Sequence, residues 1–127
     1  MGIIGMFLSP IYSGMGTMMF YQKKYSGAVK YFEKAIKCNP KEKKIEYTYS
    51  HLGQCYLRLG RKRNALDALK KAYDLFHSIQ NYKDDNYDRE KFKNLLIAYL
   101  NILFELNEFE KVRDIQNELD SIVNRKY

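Results

Sequence analysis

The sequence predicts an all-α fold of six helices arranged as about three helix-turn-helix units, and three observations carry that prediction. Apolar residues recur at three- and four-residue spacing through most of the chain. Two prolines and seven glycines in 127 residues leave little material for the turns of an all-β fold, whereas Lys, Glu, Leu, Ala and Tyr are plentiful. The chain also repeats itself. A shift of 37 places Tyr12, Met15, Gly16, Met19, Ala28, Phe32 and Ala35 on Tyr49, Leu52, Gly53, Tyr56, Ala65, Leu69 and Ala72. A further shift of 47 carries Leu52, Tyr56, Ala65, Leu69 and Ala72 onto Tyr99, Leu103, Val112, Gln116 and Leu119, a third and more degenerate unit. With 46% apolar residues and this length, one domain with a sizeable core is expected.

The helices are expected over about 10–22, 26–38, 43–58, 62–80, 88–106 and 109–124. Ser9-Pro10 reads as a helix cap followed by the first helical residue, which leaves residues 1–8 as an apolar segment outside the first helix. Asn39-Pro40 ends the second helix; Gly60 and Asn107 are placed to take the left-handed conformation after the third and fifth. The polar run Asn81 to Asp88 is the longest connector. Within the repeat, Gly16 or Gly53 is expected to remove a Cβ where Ala28 or Ala65 of the next helix crosses, so that the two backbones approach closely.

The second unit resembles the tetratricopeptide repeat family: Tyr49, Leu52, Gly53, Tyr56, Gly60, Ala65, Leu69 and Ala72 follow its helix-turn-helix pattern, with Tyr in place of the leading Trp. In the first unit Tyr12, Met15, Gly16, Tyr25, Ala28, Phe32, Ala35 and Pro40 match, and Met19 stands where Tyr is usual. The third departs further, with Leu100 at the close-contact glycine and Gln116 at an apolar position, so its helix pair is expected to splay. The resemblance covers residues 9–124, as repeats of about 9–42, 46–79 and 88–124. It implies a short right-handed α-solenoid that holds a peptide or partner helix in a concave groove, without catalysis.

In such proteins the groove is lined by the first helix of each pair. Carried onto this chain, the resemblance implies Ser13, Thr17, Phe20 and Tyr21 from the first unit, Tyr47, Ser50, Gln54, Leu57 and Arg58 from the second, and Asn94, Ile97, Asn101 and Phe104 from the third. Thr17, Tyr21, Tyr47, Ser50, Gln54, Arg58 and Asn101 are the leading partner-binding candidates, while Leu57, Ile97 and Phe104 are expected to pack between repeats. Chaperone-binding members of the family hold a C-terminal carboxylate with Lys, Asn and Arg. The matching positions here are Ser13, Thr17, His51, Ile97 and Asn101, which do not supply that set. An aromatic and amide-rich lining favours a hydrophobic or amide-rich ligand.

Residues 1–22 carry no charged side chain. A terminal solenoid helix normally shows a polar outer face. Here Ile11, Met15, Met18 and Phe20 are candidates for self-association instead, and homodimerisation or partner docking is the favoured cover for this face. The alternative is a membrane tether through residues 1–22, weakened by their Gly, Ser and Pro content. Nothing basic precedes Ile3, so a secretory signal is not expected.

The net charge of +7 is uneven: 14 basic and 4 acidic residues up to Lys71, against 8 and 11 beyond it. A basic cluster from Arg58 to Lys71 invites comparison with RNA-binding helical repeats, yet the units share no repeated base-reading pair, and a solvated face is the favoured reading. Cys38 and Cys55, the only cysteines, form no close pair, which fits a reducing, cytoplasmic setting. His51 and Cys55 share a helix face, but no further metal ligand has useful spacing, and no phosphate-binding loop, catalytic triad or apolar carboxylate pair is evident. No cofactor, metal or enzymatic activity is expected.

Overall fold

A computed structural model describes residues 2–78 and 86–124. It contains six α-helices in these residues: α1 (Ile3–Tyr21), α2 (Tyr25–Cys38), α3 (Ile45–Arg58), α4 (Lys62–His77), α5 (Asn86–Glu105) and α6 (Phe109–Val123). No strand is present among the described residues. Most of the Asn81–Asp88 run lies outside them, as does the expected tail of the fourth helix beyond Ser78; Asn86 to Asp88 open α5.

Consecutive helices pack in order, α1 on α2, α3 on α4 and α5 on α6, with α2–α3 and α4–α5 joining the pairs. The odd-numbered helices also touch, α3 meeting both α1 and α5. One continuous core runs through them, from Ala28 and Phe32 past Leu52, Cys55, Leu69 and Phe76 to Phe92, Leu95, Tyr99, Ile102 and Ile115.

The internal repeat is visible in the backbone. Two residues beyond α1, α3 and α5 stand Lys23, Gly60 and Asn107, all left-handed, with φ of 63°, 74° and 60°. One residue further, Lys24 N–H donates to Met19 O, Arg61 N–H to Tyr56 O and Glu108 N–H to Leu103 O, each at 2.9 Å. Such a bond satisfies carbonyls that a helix end leaves open. The three turns are related by the same offsets of 37 and 47 that relate the side chains. Gly60 and Asn107 are where the sequence places them; Lys23 and Lys44 (φ 66°) are left-handed residues that it does not announce.

The close-approach glycines need one correction. A Cβ on Gly16 would lie 2.7 Å from Phe32 Cδ1, and one on Gly53 would lie 2.4 Å from Leu69 Cγ, so the residue opposite is the large one a turn beyond Ala28 or Ala65. The bulky side chain itself fills the gap that the glycine opens. In the third unit Leu100 is half-buried and Gln116 is exposed, and α5 and α6 touch along less of their length than the other two pairs.

The start of α1 also differs from expectation. Pro10 lies inside the helix, which runs back to Ile3 with Gly2 at its cap. Ser9 does not cap: its hydroxyl is buried and donates to Ala35 O of α2 at 3.0 Å. An interior proline gives up its own N–H bond and crowds the carbonyl four residues back, at about 3 kcal/mol, but its φ is helical, and here the Ser9–Ala35 bond anchors the helix at that level so that it continues. Residues 3–8, expected as a separate segment, are therefore a helical extension that leaves Ile3, Ile4, Met6 and Phe7 exposed.

Candidate functional site

A helix bound on one side by its pair partner and on the flanks by neighbours has one remaining face. On α1, α3 and α5 those faces adjoin, because the odd-numbered helices touch one another, and three cavities follow the seam. The first, about 280 Å³, is lined by Ser13, Thr17 and Tyr21 of α1, Tyr47, Thr48 and His51 of α3, Lys91 of α5 and Glu42 to Lys44 of the connector. The second, about 120 Å³, shares Tyr21, Tyr47, His51 and Lys91 with the first and adds Phe20, Ser50, Gln54 and Asn94. The third, about 660 Å³, shares Gln54 and Asn94 with the second and extends over Leu57, Arg58, Ile97, Ala98, Asn101, Phe104 and Glu105.

All seven leading candidates from the sequence line this run: Thr17, Tyr21, Tyr47, Ser50, Gln54, Arg58 and Asn101. Some are held by local bonds. Thr17 Oγ1 donates to Ser13 O at 2.8 Å, Gln54 Nε2 donates to the buried Ser50 Oγ at 3.2 Å, and Lys91 Nζ donates to Tyr21 Oη at 3.3 Å. Ile97 and Phe104, expected to pack between units, are 43% and 63% exposed and face the largest cavity; Phe104 instead packs edge-on against Phe109, centroids 5.7 Å apart. Leu57 is half-buried.

Sequence reasoning does not place Lys91 or the connector residues Glu42 to Lys44 here. Lys91 lies one turn before Asn94 on the same face of α5, so extending that spacing upstream reaches it. The connector has no periodicity to extend.

Charge along the groove is mixed. Lys43, Lys44 and Lys91 stand with Glu42 at one end, where Lys44 pairs with Asp88 at 3.7 Å and sits 5.3 Å over the Tyr47 ring. Arg58 and Glu105 stand at the other, Glu105 pairing with Lys62 at 3.5 Å. The floor near α1 is aromatic: His51 lies 4.8 Å from Phe20 and 5.8 Å from Phe32, centroid to centroid. Burial there, with a smaller contribution from Lys91, pushes the His51 pKa down to about 4, which leaves it neutral at physiological pH. Cys55 is fully buried and burial raises its thiol to about 12; it packs as a small core residue. Among the described residues no three His, Cys, Asp or Glu side chains gather where they would hold a metal ion.

Of the self-association candidates, Ile11 and Met18 are exposed on the outer face of α1, and Met15 is half-buried. Phe20, expected from the sequence both in the groove lining and among the self-association candidates, takes the first of these places and not the second. It packs on His51 and Tyr25 and lines the groove, because α3 brings His51 against its side of α1. By length and composition alone, the 19-residue α1 is apolar enough to cross a membrane.

Six helices in consecutive pairs, with a groove along their adjoining faces and matching turns inside each pair, define a helical repeat protein. The chain belongs to the family of regulator of microtubule dynamics proteins 1–3, whose model matches residues 15–100. It is also 37% identical over 60 residues, 47% of its length, to the Hsp70-Hsp90 organizing protein of Triticum aestivum. The chain spans about one tenth of that relative's length.

Proposed function

We propose that this chain is a non-enzymatic protein-interaction module, a short right-handed solenoid of tetratricopeptide type that holds a peptide or partner helix along α1, α3 and α5. The observation that carries the proposal is the uninterrupted run of three cavities, walled by exposed Asn101, half-buried Gln54 and Asn94's neighbours on α5, the exposed apolar side chains of Ile97 and Phe104. Carboxamides both donate and accept, which suits the backbone and amide groups of a peptide. The mixed charge gives no single-sign field of the kind that draws a polyanion, which argues against RNA. The relative's printed name describes organisation of two chaperones and the family's describes regulation of microtubule dynamics; both fit a module that binds proteins. The positions that hold a chaperone carboxylate elsewhere are Ser13, Thr17, His51, Ile97 and Asn101 here, so the ligand proposed is not a free C-terminus. The two free cysteines agree with a cytoplasmic setting.

The test is a displayed random-peptide library panned against the full chain, followed by titration of the selected peptides into Gln54→Ala and Asn101→Ala variants. Removing a carboxamide that bonds the ligand weakens binding about tenfold. Peptides that bind both variants as tightly as the parent chain refute groove binding.

Self-association through the outer face of α1 is a second part of the proposal, carried by the exposed Ile11 and Met18. The competing reading, a membrane tether through residues 1–22, draws on the length and composition of α1. Against it stands the packing of α1: insertion would strip Phe32 and Ala35 of their cover, while Lys30, Lys34 and Lys37 of α2 stay alongside.

A further inference from the structure

The outer face of α1 has an order that its composition alone does not reveal. Exposed positions fall at Ile4, Phe7, Ile11, Gly14, Met18 and Tyr21, a spacing of three and four residues alternately over the whole helix, with Tyr21 at the edge where this face meets the groove that it also lines. This is the spacing of a coiled-coil seam, the period at which two helices keep the same face toward each other. The five side chains on it are each more than half exposed. With flanking Ile3 and Met6, at about 100 to 150 Å² for each, they present roughly 800 Å², the area one partner contributes to a standard interface. The sixth position is a glycine in mid-helix with open space around it. Nothing within the chain calls for glycine there, and an exposed mid-helix glycine costs about 1 kcal/mol relative to alanine.

Resting on the self-association proposed above, we infer that the occupant of this seam is a second α1, antiparallel to the first about a two-fold axis between Ile11 and Gly14. That axis sets Ile11 opposite the partner subunit's Gly14, Phe7 opposite the partner subunit's Met18 and Ile4 opposite the partner subunit's Tyr21. The central pair sets a branched side chain into the gap of a glycine, twice, and the next sets a thioether against an aromatic ring, a favourable contact. Direction follows from charge. A parallel pair would gather Lys23 and Lys24 of both copies at one end and align two helix dipoles, with no acidic residue in the first 22 to compensate. The antiparallel pair separates those lysines by nearly the helix length, roughly 28 Å. The exposed face of α6 is a poor alternative occupant: it carries Glu110, Arg113, Asp114, Asn117 and Asp120, which an apolar seam would desolvate without pairing.

The experiment uses the full chain carrying Cys38→Ser, purified without detergent, with Phe7→Cys and Met18→Cys introduced singly and together. Molar mass is read by light scattering, and disulfide-linked dimer by non-reducing electrophoresis after mild oxidation. The expected result is a dimer that cross-links efficiently only when both cysteines are present, and a parent chain whose dimer Met18→Glu weakens at least about tenfold with an unchanged helical circular dichroism spectrum. A chain that stays monomeric at concentrations on the order of 100 µM, where even a weak specific dimer is populated, overturns self-association itself. A dimer cross-linked equally well by either single cysteine, the parallel signature, overturns the arrangement while self-association stands. A chain recovered only from the membrane pellet overturns both and makes a bilayer the cover of the seam.

Discussion

Replacing Gly53 with alanine adds one methyl group where α3 is packed closely on Leu69 of α4. The new Cβ would lie 2.4 Å from Leu69 Cγ, 2.5 Å from Leu69 Cδ2 and 3.2 Å from the Leu69 backbone nitrogen. Leu69 is fully buried, and Cγ is a branch point rather than a free end, so relief requires movement of α4 as a whole. Overpacking of this kind costs about 1 to 3 kcal/mol, against about 1 kcal/mol gained from alanine's better helix propensity. Contacts of 2.4 and 2.5 Å put the overpacking term in the upper part of that range, about 2 to 3 kcal/mol, which leaves a net loss of about 1 to 2 kcal/mol. Leu69→Ala alone opens a cavity and costs about 2 to 5 kcal/mol. In the double variant the methyl group added by Gly53→Ala occupies part of that cavity, so the combined loss falls short of the sum by at least about 1 kcal/mol. Urea unfolding at about 25 °C, with free energies from linear extrapolation, measures all four corners of the cycle. A Gly53→Ala chain as stable as the parent, or a strictly additive double variant, refutes the close-approach reasoning.

Stability should also depend on pH through His51. Its folded pKa is lowered from 6.5 to about 4, so between those values the unfolded chain takes up a proton that the folded one refuses; its contribution is complete above about pH 6.5 and is lost as pH falls toward 4. The loss from about pH 7 to about pH 5 is about 2 kcal/mol, and it should vanish from the slope of a His51→Gln variant measured in parallel; equal slopes would reject this origin. Lys23→Gly and Asn107→Gly relieve left-handed residues that bear a Cβ, whereas Gly60→Ala introduces one. The first two are expected to raise the melting temperature by roughly 2 to 4 °C each and the last to lower it by a similar amount, and a calorimetric scan showing one common sign for all three would defeat the explanation.

The helices are legible in the sequence because their periodicity, their breakers and the repeat offsets agree, and the groove candidates are legible because a helix face follows from spacing once the pairing is known. What escapes lies where one residue answers to another far along the chain. Ser9-Pro10 carries a local start signal, and only Ala35 of α2 explains why the helix runs through it. Phe20 is assigned by the sequence to the groove and to the outer face alike, and only His51, set against it, decides for the groove. Lysine does not advertise a left-handed conformation, yet Lys23 lies 37 residues before Gly60, so the repeat offset contains that turn. Hydrophobicity alone assigns Ile97 and Phe104 to packing, and the open cavity that both border between α3 and α5 decides otherwise.

The looser pairing of α5 with α6 has a consequence for how the molecule opens. Of α6 only Ile115 and Ile122 are buried, while α5 buries Phe92, Leu95, Leu96, Tyr99, Ile102 and Leu103. In a series of nearest-neighbour contacts, the weakest coupling opens before the stronger ones. The amide protons of α6 should therefore exchange with solvent deuterium through a partial opening that leaves the protection of α3 and α4 untouched. The largest cavity of the groove stands on α5, so a ligand seated there acts on the one helix whose backing detaches independently, and slower exchange in α6 would report its arrival from the far side of the wall that α5 forms.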